Sequence, residues 1–174
     1  MIKIISAFTV DLVYGEHDHV VEKYSIPWFK CNNPRDKDIK AADMKRFINY
    51  TKNKVVVMGN NTFKSMNCIP LKNRTNIILT RNKYLLNSNP AGYKYYSSIY
   101  DVLKDYDEII IIGGTGLIIN VLRNYGNKVV DICFDILDIP LPIGNYNLFP
   151  KDKIDKLIKN NTDLNLNNCY FYIG

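Results

Sequence analysis

Apolar positions in this chain come in short unbroken runs, set between polar stretches that repeat at helical spacing. The runs IKIISAF at 2–8, KVVVM at 54–58, TNIILT at 75–80 and EIIII at 108–112 are β-branched and scarcely alternate, the pattern of strands covered on both faces. Weaker runs at 93–96, 128–135 and 168–173 predict three more strands. Helices are predicted near 39–51, 61–67, 98–104 and 116–123, and Ser98 with Asp101 makes a capping box for the third. This alternation implies a mainly parallel sheet with helices on both faces. Residues 138–167, rich in Pro, Asn, Lys and Asp, read as an irregular connection with a short helix near 154–159. No internal repeat is visible.

The segment from Asp43 to Arg81 concentrates the chemistry. Asp43, Phe47 and Thr51 follow one another at steps of four, so they share a helix face, which is read as turning Met44, Phe47 and Ile48 toward a core. A lone acid in that place would only complement the helix dipole. The strand that follows, however, ends at Gly59, and Asn60, Asn61 and Thr62 offer capping side chains before the next apolar stretch at 63–66. A helix opening there would present unpaired amides to an anion. The same arrangement recurs where EIIII runs into Gly113, Gly114, Thr115 and Gly116 ahead of LIINVLR. One such turn is as well explained by a tight bend, whereas two in a small chain suit the diphosphate of a dinucleotide.

Length and composition agree. With 174 residues the chain suits one domain spanning 1–174 with a full core. The longest apolar run is far short of a membrane span, and MIKIISAF reaches Asp11 too soon for a signal peptide, so the expectation is a soluble cytoplasmic protein. Cys31, Cys68, Cys133 and Cys169 stand far apart and read as reduced thiols. His17 and His19 lack further ligand-type side chains in a regular element and read as exposed polar residues rather than a metal site. The net charge of +6 comes from scattered lysines, in a chain rich in residues with A/T-rich codons, which argues against nucleic-acid binding. A basic surface still steers polyanionic ligands inward.

An ordered set of motifs resembles the dihydrofolate reductase family: MIKIISAFTVD with Ala7, then Gly15, Pro27-Trp28, DMKRF…T, VVMGxxTFxS, PLxxRxNxxLTR and IGGTxL, with a looser match at Phe149-Pro150. The resemblance implies an α/β, dihydrofolate-reductase-like fold. Its mainly parallel central sheet would have an antiparallel C-terminal edge strand and about four flanking helices. It implies NADPH-dependent reduction of 7,8-dihydrofolate to 5,6,7,8-tetrahydrofolate, in support of one-carbon metabolism and thymidylate synthesis, by a monomer. Asp43 and Trp28 fall at catalytic positions, with Asp43 holding the 2-amino group and N3 of the pterin and promoting protonation of N5. Ile5, Ala7, Phe47, Met66 and Ile112 match the residues around the pterin, the aminobenzoyl ring and the nicotinamide, and Arg74 matches the arginine that takes the glutamate α-carboxylate. Ala7, Gly15, Gly59, Asn60, Asn61, Thr62, Gly113, Gly114, Thr115 and Gly116 match cofactor-binding positions. Thr80 and Arg81 match the pair that grips the 2′-phosphate, and the Gly113-Gly114 peptide is expected to be cis.

Several positions depart from the family pattern. Asn60 replaces an arginine beside the 2′-phosphate, and Ile118 replaces a tyrosine near the nicotinamide. The threonine that hydrogen-bonds the catalytic acid falls at Asp131 or Ile132; Asp131 would raise one pKa of the pair by repulsion, Ile132 would leave the acid short of a partner. The lid loop from Gly15 to Pro27 is long, Ile26 stands where a Met or Leu would brush the cofactor, and residues 29–42 form a further loop insertion. Two alternatives are carried: another pterin or pyrimidine reductase, and a non-enzymatic, virion- or nucleic-acid-associated member of the fold.

Overall fold

A computed structural model describes residues 1–18, 23–88, 90–161 and 164–174, with backbone alone for 23, 24 and 161. Seven strands form one sheet: β1 (Ile2–Thr9), β4 (Val55–Gly59), β5 (Thr75–Leu79), β6 (Tyr93–Tyr96), β7 (Ile109–Gly113), β8 (Val129–Leu137) and β10 (Tyr170–Ile173), in the order β10-β8-β1-β7-β4-β5-β6. Two short strands of the lid region, β2 (Val13–Asp18) and β3 (Lys23–Ser25), pair antiparallel and are joined by β9 (Tyr146–Leu148) in a second sheet. Of the long loop expected between Gly15 and Pro27, residues 15–18 and 23–25 are therefore strand. Its strands were hidden because only Val13 is buried in β2 and nothing alternates.

The helices are α1 (Pro34–Thr51), α2 (Asn60–Ser65), α3 (Lys83–Leu86), α4 (Ile99–Asp105), α5 (Thr115–Tyr125) and α6 (Lys151–Asn161). The expected insertion at 29–42 is not an extended lid: from Pro34 onward it is the first turns of α1. Asn33 caps that helix by accepting from the Asp36 N–H at 2.8 Å, and Pro34 supplies a first residue with preset φ.

The sheet is covered on both faces, which is why its strands read as continuous apolar runs. Ile2, Ile4, Phe8, Val57, Ile77, Ile109 and Ile111 pack with α4, α5 and α6, while Ile5, Ile110 and Cys133 pack under Phe47 and Tyr50 of α1. Phe8 stacks on Phe149 with ring centroids 4.1 Å apart, fixing the Phe149-Pro150 segment ahead of α6.

The C-terminal edge strand corrects an expectation. β10 runs parallel to β8, from Tyr170 opposite Phe134 to Ile173 opposite Leu137. A hairpin would have made it antiparallel, but α6 lies in the connection and returns the chain to the starting end of the sheet, as any parallel crossover requires. All pairings within the seven-stranded sheet are thus parallel.

Candidate active site

In an open parallel sheet, ligands collect beyond the carboxyl ends of the strands, where loops leave in opposite directions. Here β1 ends near Ala7, β4 at Gly59, β5 just before Thr80 and β7 at Gly113, and all four residues line one cleft of about 1540 Å³. That volume exceeds the roughly 300–1,000 Å³ of a pocket for one small molecule, so two ligands fit side by side. Of the residues singled out from the sequence, Asp43, Trp28, Ile5, Ala7, Gly15, Phe47, Met66, Ile112, Thr80 and Arg81 line it, as do Gly59 through Thr62 and Gly113 through Gly116. Arg74 does not.

The acid is set by a contact between α1 and β8. Asp43 is only 8 % exposed, and its carboxyl is pushed up from 3.8 to about 7, chiefly by burial, then by Asp135, with Arg46 opposing. Asp135 is itself buried, and Arg46 Nε donates to both of its oxygens, at 3.0 and 3.2 Å. The neighbouring acid is therefore neither of the positions expected: Asp131 accepts from the Tyr50 hydroxyl, and Ile132 lies opposite Ile4 in the core. The repulsive pair foreseen for Asp131 exists at Asp135, four residues along. Alternate residues of a strand share a face, so Asp131, Cys133 and Asp135 all meet α1. The helix is turned accordingly: Met44 and Ile48, expected inside, are 37 % and 41 % exposed, and Met44 reaches the cleft rim.

Ile5, Ala7, Phe47, Met66 and Ile112 give the cleft an apolar lining. Trp28, 3 % exposed, packs with Ile39 of α1, and among the described residues its indole N–H has no partner. Arg74 stands behind the lining, with its guanidinium 5.8 Å from the centre of the Phe47 ring. Its Nε donates to the buried Thr51 hydroxyl at 2.9 Å and Nη1 to the Lys72 carbonyl at 2.7 Å, while the buried Nη2 has no partner among the described residues. Asn76 holds the turn before it, accepting from Leu71 N–H and donating to the carbonyls of Leu71 and Arg74. The spacing PLxxRxN and the terminal Thr of DMKRF…T are thus parts of one arginine mount.

The two glycine turns meet. The Gly113-Gly114 peptide is cis, as expected, and Gly113 has φ +136°. A Cβ there would stand 3.3 Å from the Thr62 hydroxyl, and one at Gly59 would stand 4.0 Å from the Gly114 nitrogen. At Gly113 the positive φ and the near approach of Thr62 both call for glycine where the starts of α2 and α5 meet. The Thr115 hydroxyl donates to Tyr14 at 2.9 Å, which returns a phenol to the region that lost one at Ile118, now fully buried. Thr80 is nearly buried and accepts from the Asn82 N–H, while Arg81 is exposed at the rim. His17 lies on β2 and lines the cleft; His19 lies outside the described residues.

Comparison with known proteins agrees with this geometry. The dihydrofolate reductase family profile matches residues 38–130, from within α1 to the start of β8. The chain belongs to the dihydrofolate reductase family. It is 32 % identical over 126 residues to a dihydrofolate reductase of Ureaplasma parvum, covering 68 % of this chain and 78 % of that one. It is 34 % identical over 116 residues to one from Buchnera aphidicola, 67 % of this chain and 60 % of the relative. A dihydrofolate reductase from Enterococcus faecalis, solved with NADP(H) and RAB-propyl, shares the fold with TM-score 0.58 and 24 % identity over 86 % of this chain and 77 % of that one. Against the family pattern, sequence reasoning missed Arg46, Cys133 and Asp135 behind the acid, and Tyr14 beside the glycines. The hint was a second carboxylate, Asp135 after Asp131, interrupting the apolar run of β8.

Proposed function

We propose that Asp43 is the acid of a dihydrofolate reductase site, and that Trp28, Ile5, Ala7, Phe47, Met66, Ile112 and Arg74 surround its substrate. As a family member the enzyme reduces 7,8-dihydrofolate to 5,6,7,8-tetrahydrofolate. One observation carries the residue reading: a nearly buried carboxyl lines the same cleft as two abutting glycine turns.

The donor set fits both ligands. A carboxylate has two oxygens for the parallel N–H donors of a pterin edge, and Phe47, Ile5 and Ile112 give the ring apolar faces. Arg74 stands behind that lining with Nη1 on the Lys72 carbonyl, so its Nη2, buried without a partner among the described residues, is the nitrogen left for the substrate's carboxylate tail. On the cofactor side, Gly59 to Thr62 and Gly113 to Gly116 surround the diphosphate with backbone N–H groups, and Thr80 with Arg81 takes the 2′-phosphate. When bound, NADPH supplies the hydride that C6 of the pterin receives. Asp43, pushed up to about 7, carries a proton through a large share of molecules at neutral pH, the state an acid catalyst needs. Because it holds the far edge of the ring, the proton reaches N5 through water, and the Trp28 N–H, without a partner among the described residues, is placed to order that water.

We further infer a single-domain monomer working in the cytoplasm without nucleic acid. Among the described residues no helix is long and apolar enough to cross a membrane, and the core clusters all pack on one sheet.

The test is direct. NADPH should quench Trp28 fluorescence, and added dihydrofolate should then consume the nicotinamide absorbance. Asp43→Asn should retain the quenching and lose turnover by about 10²-fold or more. Quenching without turnover in the unaltered protein would overturn the assignment in favour of an altered-specificity or non-enzymatic member of the fold.

A further inference from the structure

The cluster behind Asp43 goes beyond what the reduction itself demands. Two carboxyls, Asp43 on α1 and Asp135 on β8, lie within hydrogen-bonding reach of each other, and the one cation beside them, Arg46, is bonded to Asp135. Asp135 is 1 % exposed and lies behind the wall of the cleft rather than in its lining. Every element packed on it contributes a neighbour. α1 supplies Asp43 and Arg46, its own strand supplies Cys133 at 3.7 Å, and β1 and β10 place Ala7 and Phe171 opposite it. The Phe171 ring lies 4.4 Å from the Arg46 guanidinium, and Arg46 Nη2 donates to Cys133 Sγ at 3.2 Å. Arg46 is thereby committed to Asp135, not to Asp43.

Buried charge is tolerated when it is balanced. With two acids and one guanidinium, the cluster is neutral when it holds one proton. Arg46 fixes which acid is ionised, so the proton belongs to the other. We propose that Asp135 is a positioning residue for the reduction, accepting a hydrogen bond from the protonated Asp43 carboxyl and thereby holding that proton, and the orientation of the carboxyl, at neutral pH. The proposal rests on the reading of Asp43 given above and names what tunes it. Burial pushes both carboxyls up; Asp135 raises Asp43 further, whereas Arg46 and the bonds from Cys133 and Asp43 pull Asp135 back down.

Two variants with opposite signatures test it. Asp135→Asn keeps the shape and removes the anion, so the alkaline fall of kcat/KM for dihydrofolate should begin at lower pH, with activity above neutrality reduced about tenfold for each pH unit moved. Arg46→Leu removes the cation and should move the same fall to higher pH. A merely structural contact would move both variants in one direction or neither, and either result overturns the proposal. An activity-independent reading uses the unaltered enzyme. The infrared carbonyl stretch of a protonated aspartic acid should be present at about pH 6, gone by about pH 9, and missing in Asp43→Asn. Its absence from the unaltered enzyme at the lower pH also overturns the proposal, even if Asp135→Asn fails to fold. Turnover surviving in Asp43→Asn would instead sink the assignment of Asp43, whereas loss there with an unmoved Asp135→Asn profile sinks only the role of Asp135.

Discussion

Replacing Asp43 by Asn should stabilise the protein at alkaline pH while disabling it. The carboxyl titrates near 3.8 when free and at about 7 in the fold. Over the interval between, the folded state holds a proton that the unfolded chain has released, so stability falls as pH rises. Below the lower value both states are protonated, above the upper both are ionised, and the slope vanishes on either side. At about 1.4 kcal/mol per pH unit, the displacement makes an ionised Asp43 cost about 4 kcal/mol. At 8 % exposure little of that is screened by solvent. An amide does not titrate, so Asp43→Asn lacks the slope. Urea unfolding of both proteins at intervals from pH 4 to pH 9 measures it. The stability of the variant relative to the parent should climb through the window by up to about 4 kcal/mol and then level. A difference constant with pH would refute the claim that burial and Asp135 burden this group.

Other parts of the site answer to simpler perturbations. Thr51→Val removes the acceptor for Arg74 Nε and a hydroxyl that donates to the Phe47 carbonyl at 2.6 Å; steady-state kinetics should show KM for dihydrofolate rising several-fold with KM for NADPH unmoved. Gly113→Ala puts a methyl 3.3 Å from the Thr62 hydroxyl at a φ of +136°, which L side chains rarely adopt, and should weaken NADPH binding, read from Trp28 quenching, about tenfold. Asn33→Ala removes the cap of α1 and should cost about 1 kcal/mol in denaturant unfolding.

How much could be read from the chain alone follows from what kind of signal each part emits. The strands β1, β4, β5 and β7 announced themselves because a strand buried on both faces must be apolar throughout, and the glycine turns did so because each ends such a strand and opens a helix. Phe47 was visible through its spacing, and Asp43 only through the turns that follow it and the motif DMKRF…T. The direction of β10 depended on whether α6 was long enough to cross the sheet, and its polar composition concealed it. The start of α1 was written in Asn33, Pro34 and Asp36, a cap, a first-turn proline and an acid, whereas the family resemblance makes the same segment an insertion. Most instructive is the rotation of α1. An amphipathic reading turned Met44 and Ile48 inward, whereas the inner face carries Asp43, Arg46 and Tyr50 because β8 opposes it with Asp131, Cys133 and Asp135. A polar interface between elements some eighty residues apart leaves no periodic trace.

The unbroken course of α1 turns the helix into a measuring rod. Ile39 near one end packs on Trp28, Asp43 stands further along, and Thr51 at the other end steadies Arg74. At about 1.5 Å per residue, the eight residues from Asp43 to Thr51 span roughly 12 Å. A bound molecule that engages both the acid and the arginine must match that separation between its heterocycle and its anionic tail. Analogues with a shortened or rigidly bent spacer would have to release one end.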